Sequence, residues 1–379
     1  MKNRTNLIFC HKLIKAIADS MVKVFIPLII LKNGGSLWLS MIYLVSYYFL
    51  CGIFNVVLKK FLQKYGVIAM ILHAVPLIIL QFLLTAKISW WLCLIIAVFA
   101  AMGQVLYSVP LNILFAFTDK EVNVAKFQIA TNVGKLIFTI ASGFIIGSSF
   151  KDSILVLSIV GTVLYLLSAV PIVYGYNLLK SNYNEIALHP PVVDKKSYKI
   201  FNVYHGAFSI CQSVLDVVVP LYLFVENLTF EAVAIVMAAI EVCKIGANLF
   251  AKFLIKKNKS AISICFSAVL LVIGSVLMLT IKNAVVLYVC SCVIAVSFPL
   301  MFVPMFSCFV KKLTKENNRF DGMSYRDVYI MFSKEIMFVP YFVIPSLIGQ
   351  FVVGMISAAV MAGTAVKILV AKQDKNVLE

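Results

Sequence analysis

The chain alternates long apolar runs with short polar joints. Residues 37–58, "LWLSMIYLVSYYFLCGIFNVVL", form one such run, and "KNGGS" at 32–36 and "IKKNKS" at 255–260 are typical joints. A helix that spans a bilayer needs about 20 mostly apolar residues. Runs of this kind are found at 7–31, 36–58, 66–86, 89–117, 124–147, 153–179, 201–225, 229–254, 261–281, 284–310, 326–347 and 351–371. The pattern therefore predicts an all-α integral membrane protein with twelve transmembrane helices.

The composition agrees with a chain that lies in lipid. Of 379 residues, 62% are hydrophobic and 13% are charged, and the mean hydropathy is +1.01. Soluble domains carry about 25% charged residues, so a soluble fold of this chain would leave too much apolar surface in water. The sequence contains no nucleotide-binding loop, which leaves an ion gradient or the solute's own gradient as the energy source for any transport.

The net charge of +17 is distributed unequally between the two sides of the predicted membrane. On one side the joints hold only Lys32, Lys87, Lys151 and Lys282, whereas the other joints and both chain ends are rich in lysine and arginine. Cytoplasmic segments of membrane proteins carry such an excess. The distribution predicts a multi-pass protein of the cell (plasma) membrane with both termini in the cytoplasm, and the basic excess requires no nucleic acid.

A polar linker divides the chain into two halves of six predicted spans each. Residues 1–179 form the first predicted bundle, 180–200 a cytoplasmic linker and 201–379 the second bundle. Pro27-Leu28 of the first half matches Pro220-Leu221 of the second, 193 residues later, and "VPLNILFAF" at 109–117 matches "VPMFSCFVK" at 303–311. The order of these features predicts an internal repeat whose two copies share one orientation.

Two such halves resemble the major facilitator superfamily of secondary transporters. That family has a Gly-acid-Arg pattern in the loop after the second span of each half. Here "LKKFLQKYG" at 58–66 and "FAKFLIKKNK" at 250–259 keep the basic residues and lack the acid. The resemblance implies two six-helix bundles related by a pseudo-two-fold axis along the membrane normal, with a substrate site between them and transport by alternating access.

Nine charged residues interrupt the apolar runs: Lys15, Asp19, Lys23, Lys135, Asp216, Glu241, Lys244, Lys334 and Glu335. Each charge at mid-bilayer costs about 2.5–3.5 kcal/mol, so they are expected to face the protein interior or a wet cavity. Asp19 and Lys23 are four residues apart, and Glu241 and Lys244 three, so each pair shares one helix face. Lys15 lies nearer the cytoplasmic end of its span and is expected to extend toward the interface.

The family resemblance places the fifth span against the eighth and implies two clusters. One would unite Asp19, Lys23, Lys135, Glu241 and Lys244. The other would unite Asp216 with Lys334 and Glu335. Spans one, four, seven and ten would line the cavity, so that Gln104, Asn112 and Gln212 are further candidates for substrate binding.

Two interpretations of these charges stay open. They are structural ion pairs that join helices, or at least one acid carries a coupling proton or cation and at least one lysine contacts the substrate. The second interpretation predicts a monomeric transporter of a small solute, and the lysines favour an anionic or zwitterionic one. The alternatives are a drug or lipid exporter of the same fold, a membrane-embedded lipid-modifying enzyme, and a channel or scaffold. The spacing of histidines and cysteines predicts no metal site, and no cofactor is expected.

Overall fold

The computed structural model describes residues 2–34, 36–116, 122–148, 152–188, 195–257, 260–315 and 319–376. These residues fold almost entirely into helices, as a chain in lipid must to satisfy its backbone hydrogen bonds. In chain order the helices are α1 (Lys2–Met21), α2 (Ile26–Gly34), α3 (Leu37–Val57), α4 (Lys59–Leu72), α5 (Ala74–Leu83), α6 (Trp90–Ala116), α7 (Val122–Gly147), α8 (Ser153–Tyr174), α9 (Tyr176–Ala187), α10 (Lys195–Ser213), α11 (Val219–Val225), α12 (Phe230–Lys256), α13 (Ser260–Thr280), α14 (Ala284–Lys315), α15 (Arg319–Phe338) and α16 (Ile348–Asn376).

Each predicted span falls on one helix or on a run of consecutive helices. By length and composition, eight spans in the described part of the chain qualify as membrane-crossing, or nine if the bent pair α4–α5 is one span. Helices α1 and α15 fall short because charged residues interrupt them, and the described apolar part of α7, Thr131–Gly147, is short. The number twelve and the pseudo-two-fold relation therefore stay predictions.

Two predicted joints prove to be helical. The polar stretch 59–66 was expected as a loop. Its residues 59–64 instead begin α4, and the helix kinks at Tyr65, next to the predicted start of the third span. Residues 180–187 of the predicted linker belong to α9 and 195–200 to α10, and residues 189–194 lie outside the described residues. Helix α9 is held by its neighbours, because the Tyr183 hydroxyl donates to the Leu62 carbonyl at 2.6 Å and Gln63 donates to the Ala187 carbonyl at 2.9 Å.

Prolines break the first helical run of each half at a similar place. A 3-10 turn, Lys23–Phe25, separates α1 from α2 just before Pro27, and a π-helical turn, Val214–Val218, separates α10 from α11 just before Pro220. Proline has no N–H to donate, so the carbonyl four residues earlier loses its helical partner and the winding changes there. The affected carbonyls belong to Lys23 and Asp216, which places a charged residue at each break.

The bundle has two chemically different ends. At the end that we call the basic face, Arg4 donates to Asn182 and Lys312 lies over the Tyr198 ring. At the other end, the opposite face, Lys32 donates to the Ile146 carbonyl at 2.7 Å.

The two halves of the chain meet along two helix pairs. Helix α7 packs along α12, and α3 packs along α15. The predicted contact between the fifth and eighth spans is therefore confirmed. The α7–α12 contact is tightest near the opposite face, where a Cβ at Gly143 would overlap the Ala234 methyl group. A small residue at each of these positions lets the two backbones approach closely.

Candidate functional site

A central cavity lies between the halves and consists of two chambers. The first has a volume of about 300 Å³ and is lined by α1, α2, α3, α6, α7, α10, α12, α15, the 3-10 turn and the π turn. The second, of about 260 Å³, extends toward the basic face between α7, α10, α12, α14, α15 and the π turn. Lys135, Gln212 and Asp216 line both chambers, which therefore meet at these three side chains. Lipid-spanning helices enclose several charged and polar groups here, among apolar side chains such as Leu44, Met237 and Phe302.

One lysine bridges two acids at the junction of the chambers. Lys244 Nζ lies 3.1 Å from Asp216 Oδ1 and 3.1 Å from Glu241 Oε1. The remaining carboxylate oxygens are also occupied, because Gln212 donates to Asp216 Oδ2 at 3.0 Å and the Asn132 amide, with its nitrogen toward Glu241, donates to Oε2 at 3.1 Å. We call Asp216, Glu241 and Lys244 the charge triad; its formal charge is −1.

The two acids of the triad differ in their exposure to the cavity. The Asp216 side chain is 35% exposed to the cavity, whereas that of Glu241 is only 8% exposed. Asp216 stands in the π turn, where the wider winding turns it toward both chambers. Glu241 lies inside α12 and touches only the first chamber. Asp216 is therefore the triad acid accessible from both chambers, and Glu241 is the more deeply buried one.

A second ion pair lies on α1. Lys15 Nζ is 2.6 Å from Asp19 Oδ2, and the Tyr165 hydroxyl donates to Asp19 Oδ1 at 2.8 Å. Lys15 does not extend to the interface as expected; its side chain is 1% exposed and packs over the Tyr107 ring at 3.9 Å. Asp19 therefore pairs with the lysine one turn before it rather than with Lys23.

Three lysines of the cavity have little or no compensation. Lys23 Nζ donates to Gln104 Oε1 at 2.6 Å and reaches no carboxylate. Lys334 lies 5.6 Å above the Tyr48 ring, and Lys135 lines both chambers. Within the described ranges, neither the Lys135 nor the Lys334 ammonium has a hydrogen-bond acceptor or an ion pair. All three amines line the cavity, and apart from the Lys23–Gln104 bond they make no hydrogen bond within the described residues.

The structure unites most of the predicted site residues but corrects their grouping. Asp216 belongs with Glu241 and Lys244, and Lys334 lines the same first chamber, so there is one cluster rather than two. Glu335 does not line either chamber, because it follows Lys334 in a helix and points about 100° away from it. Asn112 is also outside the cavity and donates to Asp327 Oδ2 of α15 at 3.2 Å. Lys135 forms no ion pair with Glu241; the contact comes from Asn132, one turn earlier.

Polar contacts tie the halves together at the basic face. Lys59 Nζ lies 2.7 Å from Asp321 Oδ1 and 4.6 Å from the centre of the Tyr325 ring. Arg326 and Asp327, joined at 2.9 Å, are almost completely buried behind this pair. We call Lys59 and Asp321 the basic-face pair.

At the opposite face the contacts between the halves are aromatic. The Trp38 ring lies 4.7 Å from the Phe342 ring and 6.1 Å from the Tyr341 ring. Lys32 lies 5.1 Å from the centre of the Phe230 ring. The described contacts between the halves thus differ in chemistry, with an ion pair at one face and aromatic rings at the other.

Four tyrosines of the site were not predicted from the sequence. Tyr43, Tyr47 and Tyr48 of α3 form one wall of the first chamber, and their rings contact one another at 5.7 and 4.8 Å. A single tyrosine in an apolar run does not indicate a binding site. Three tyrosines within six residues of one predicted span, as at 43–48, could have indicated a polar wall. Tyr165 comes from a distant helix, and its contact with Asp19 could not be seen from spacing.

The family of the chain follows from sequence comparison. The sequence profile of the Major Facilitator Superfamily matches residues 8–320. The match covers most of the chain, so the chain belongs to this superfamily, and the predicted resemblance is confirmed. Because this is a superfamily of transporters, the chain is a membrane transporter and not an enzyme. A sequence comparison with curated proteins gives no match.

Solved structures share the fold over nearly the whole length. A bacterial homologue of the iron transporter ferroportin, in the outward-facing state with soaked iron, matches with a TM-score of 0.69 and 16% identity over 96% of this chain and 98% of that one. The inward-facing state of such a homologue matches with a TM-score of 0.65 and 17% identity over 97% and 98%. The transporter FucP in the outward conformation matches with 0.60 and 12% over 95% and 97%. These low identities show a common fold alone.

Proposed function

We propose that the chain is a secondary active transporter that moves a small solute by alternating access and couples this movement to a proton gradient. The charge triad carries the proposal. It holds two carboxylates and one ammonium in the wall of a cavity between the halves, so it has room for one more positive charge. A cavity at this position is where transporters of this superfamily bind their solutes.

The coupling step follows from the electrostatics of the triad. A proton that binds Asp216 or Glu241 neutralises the excess negative charge and weakens the hold on Lys244. Lys244 then pairs with the remaining carboxylate, and the contact between the π turn and α12 changes. Since the triad is near Lys135 of the first half, this change alters the attraction between the halves. A coupling cation such as Na⁺ is the alternative occupant of the same site.

Reconstituted protein tests this proposal directly. Proteoliposomes are given an inward proton gradient and a panel of small solutes, and charge movement is recorded on a solid-supported membrane. The proposal expects a solute-dependent current that disappears when the gradient is collapsed. A current that follows a sodium gradient instead would reassign the coupling ion, and exchange of solute without any gradient dependence would contradict coupling.

The basic-face pair should control access from the basic face. Reversing one charge, as in Lys59→Asp or Asp321→Lys, removes an attraction between the halves that is worth about 0.2–1 kcal/mol for a partly exposed pair. We expect hydrogen–deuterium exchange to rise about two- to fivefold at the beginnings of α4 and α15 in each single variant. The double variant, which restores the pair with opposite polarity, should return to the exchange rate of the original protein.

A matched pair provides the control for this experiment. Lys282 Nζ lies 3.0 Å from Glu226 Oε1, but both residues belong to the second half and lie at the opposite face. Reversal of either charge in that pair should leave exchange at α4 and α15 unchanged. If the double swap of Lys59 and Asp321 fails to restore exchange, the basic-face pair is not a contact between moving halves.

Iron is not part of the proposal, although structures similar to this one include homologues of an iron transporter. The reason is local chemistry. Among the described residues, no group of three or more His, Cys, Asp or Glu side chains is arranged to hold a metal ion. The acids of the cavity are instead occupied by lysine and amide donors.

A further inference from the structure

We propose that the solute of this transporter is a dianion with oxygen acceptors, a dicarboxylate or a phosphate monoester, held between ammonium groups of both halves. The proposal rests on the transport function above and names its substrate class. It is argued from which hydrogen-bonding groups of the cavity are already used by the protein and which are not.

Each carboxylate oxygen of the cavity already accepts a hydrogen bond from the protein. Each oxygen of Asp19 already accepts, one from Lys15 and one from Tyr165. Each oxygen of Asp216 and Glu241 also has a donor within 3.1 Å. An organic cation would have to share these oxygens with the donors already bound to them, beside lysine ammonium groups that repel it. The cavity is therefore less suited to a cationic solute than to an anion.

The ammonium groups, in contrast, have unused donors. An ammonium carries three N–H donors. Lys23 uses one of them on Gln104, and Lys135 and Lys334 use none on any acceptor in the described part of the chain. Each of these lysines is only partly buried, so each is accessible from the cavity. Several donors without acceptors face one space, and oxygen atoms of an anion are the partners they lack.

The net charge of the site fixes the charge of the solute. Five basic residues line the two chambers, and Lys15 behind them makes six cations. Three acidic residues line the chambers, and Asp327, paired with Arg326, makes four acids. The site, within the described residues, therefore has a formal charge of +2. A dianion neutralises it, whereas a zwitterion leaves the charge as it is and a cation increases it.

The position of the lysines links the solute to the movement of the halves. Lys23 and Lys135 belong to the first half, and Lys334 belongs to the second. Lys135 and Lys334 both line the first chamber together with Asp216, so the two amines face the same space from different halves. A dianion that contacts both would draw the halves together around it. A chamber of about 300 Å³ is at the lower end of ligand pocket volumes, which suits a small solute.

The test is thermal stabilisation of the purified full-length protein by matched probes. Succinate and glycerol 3-phosphate represent the two classes of dianion. The control compounds are propionate as a monoanion, alanine as a zwitterion, glycerol as a neutral solute and putrescine as a dication. We expect stabilisation by at least one dianion at millimolar concentration and by none of the others. Which dianion is effective distinguishes a carboxylate from a phosphate solute.

Variants then locate the binding site. Lys135→Gln and Lys334→Gln should each weaken the effective dianion about 10- to 100-fold, because each removes a charged hydrogen-bond donor. Lys135→Arg keeps the charge and should retain most of the affinity, which guards against a loss of folding. Lys87→Gln is the control, since Lys87 is exposed in a joint at the opposite face.

The outcomes separate this inference from the transport proposal. Stabilisation by putrescine, alanine or glycerol, or by no dianion at all, overturns the dianion assignment. A gradient-driven current with a cationic or neutral solute would also overturn the dianion assignment, but it would support the transport proposal. If a dianion binds through Lys135 and Lys334 but preloaded proteoliposomes show no counterflow of it, the anion site stands and the transport proposal falls.

Discussion

Replacing Glu241 with glutamine is expected to abolish gradient-driven accumulation of solute while leaving solute exchange intact. Glutamine keeps the shape of the side chain and can still accept from Lys244, but it cannot gain or lose a proton. Coupling free energies between two sites are typically about 1–3 kcal/mol, so accumulation should fall about tenfold or more. Exchange between equal solute concentrations needs no proton and should change little. Uptake with and without a proton gradient, in the same proteoliposomes, measures both.

Glu335→Gln is the matched control for this prediction. Glu335 is also an acid within a predicted span, but it lines neither chamber and forms no ion pair within the residues described by the structure. Its replacement should leave driven uptake unchanged. Driven uptake that survives Glu241→Gln would exclude Glu241 as the coupling acid, and Asp216→Asn would then be tested for the same loss.

Replacing Gly143 with leucine is expected to stop turnover by holding the opposite face open. Even one added carbon would overlap Ala234, and the Phe230 carbonyl lies 3.1 Å away. Overpacking of this kind costs about 1–3 kcal/mol, which shifts the balance against the closed arrangement about 5- to 150-fold. Solute should still bind from the opposite face. Transport rate and binding, measured side by side, separate a blocked movement from a damaged site.

Two further variants show whether the overlap is the cause. Gly143→Ala alone should slow transport, and adding Ala234→Gly, which removes the methyl group it meets, should restore it. Gly246→Leu lies on α12 as well, but a Cβ there meets nothing within 4 Å, so transport should be normal. A double variant as slow as Gly143→Ala would indicate a role for Gly143 other than close packing.

The fold was largely predictable from the chain because lipid imposes simple rules. Apolar runs of sufficient length become helices, and the resemblance of the two halves indicates how they pack. The joints were less predictable. Residues 59–64 are polar yet helical: they begin α4 at the basic face, where Lys59 pairs with Asp321 of α15, and the helix kinks at Tyr65. A partner so far along the sequence leaves no local signal.

The sequence predicted most of the residues that line the site, but it predicted fewer of the ion pairs that they form. Glu241 and Lys244 share a helix face, and their ion pair forms as expected at 3.1 Å. Asp19 and Lys23 share one too, but the 3-10 turn that begins at Lys23 changes the winding just there, and Asp19 turns to Lys15 instead. Spacing rules assume a regular helix, so they fail at the breaks.

The 3-10 turn at Lys23–Phe25 has a mechanical consequence. A 3-10 helix advances 120° and about 2.0 Å per residue, whereas an α-helix advances 100° and about 1.5 Å. If these three residues relaxed to α winding, the segment carrying Asp19 would rotate by about 60° relative to α2 and shorten by about 1.5 Å. A screw motion confined to one turn would be large enough to aim Asp19 and Lys15 away from the solute, with no tilt of the whole helix.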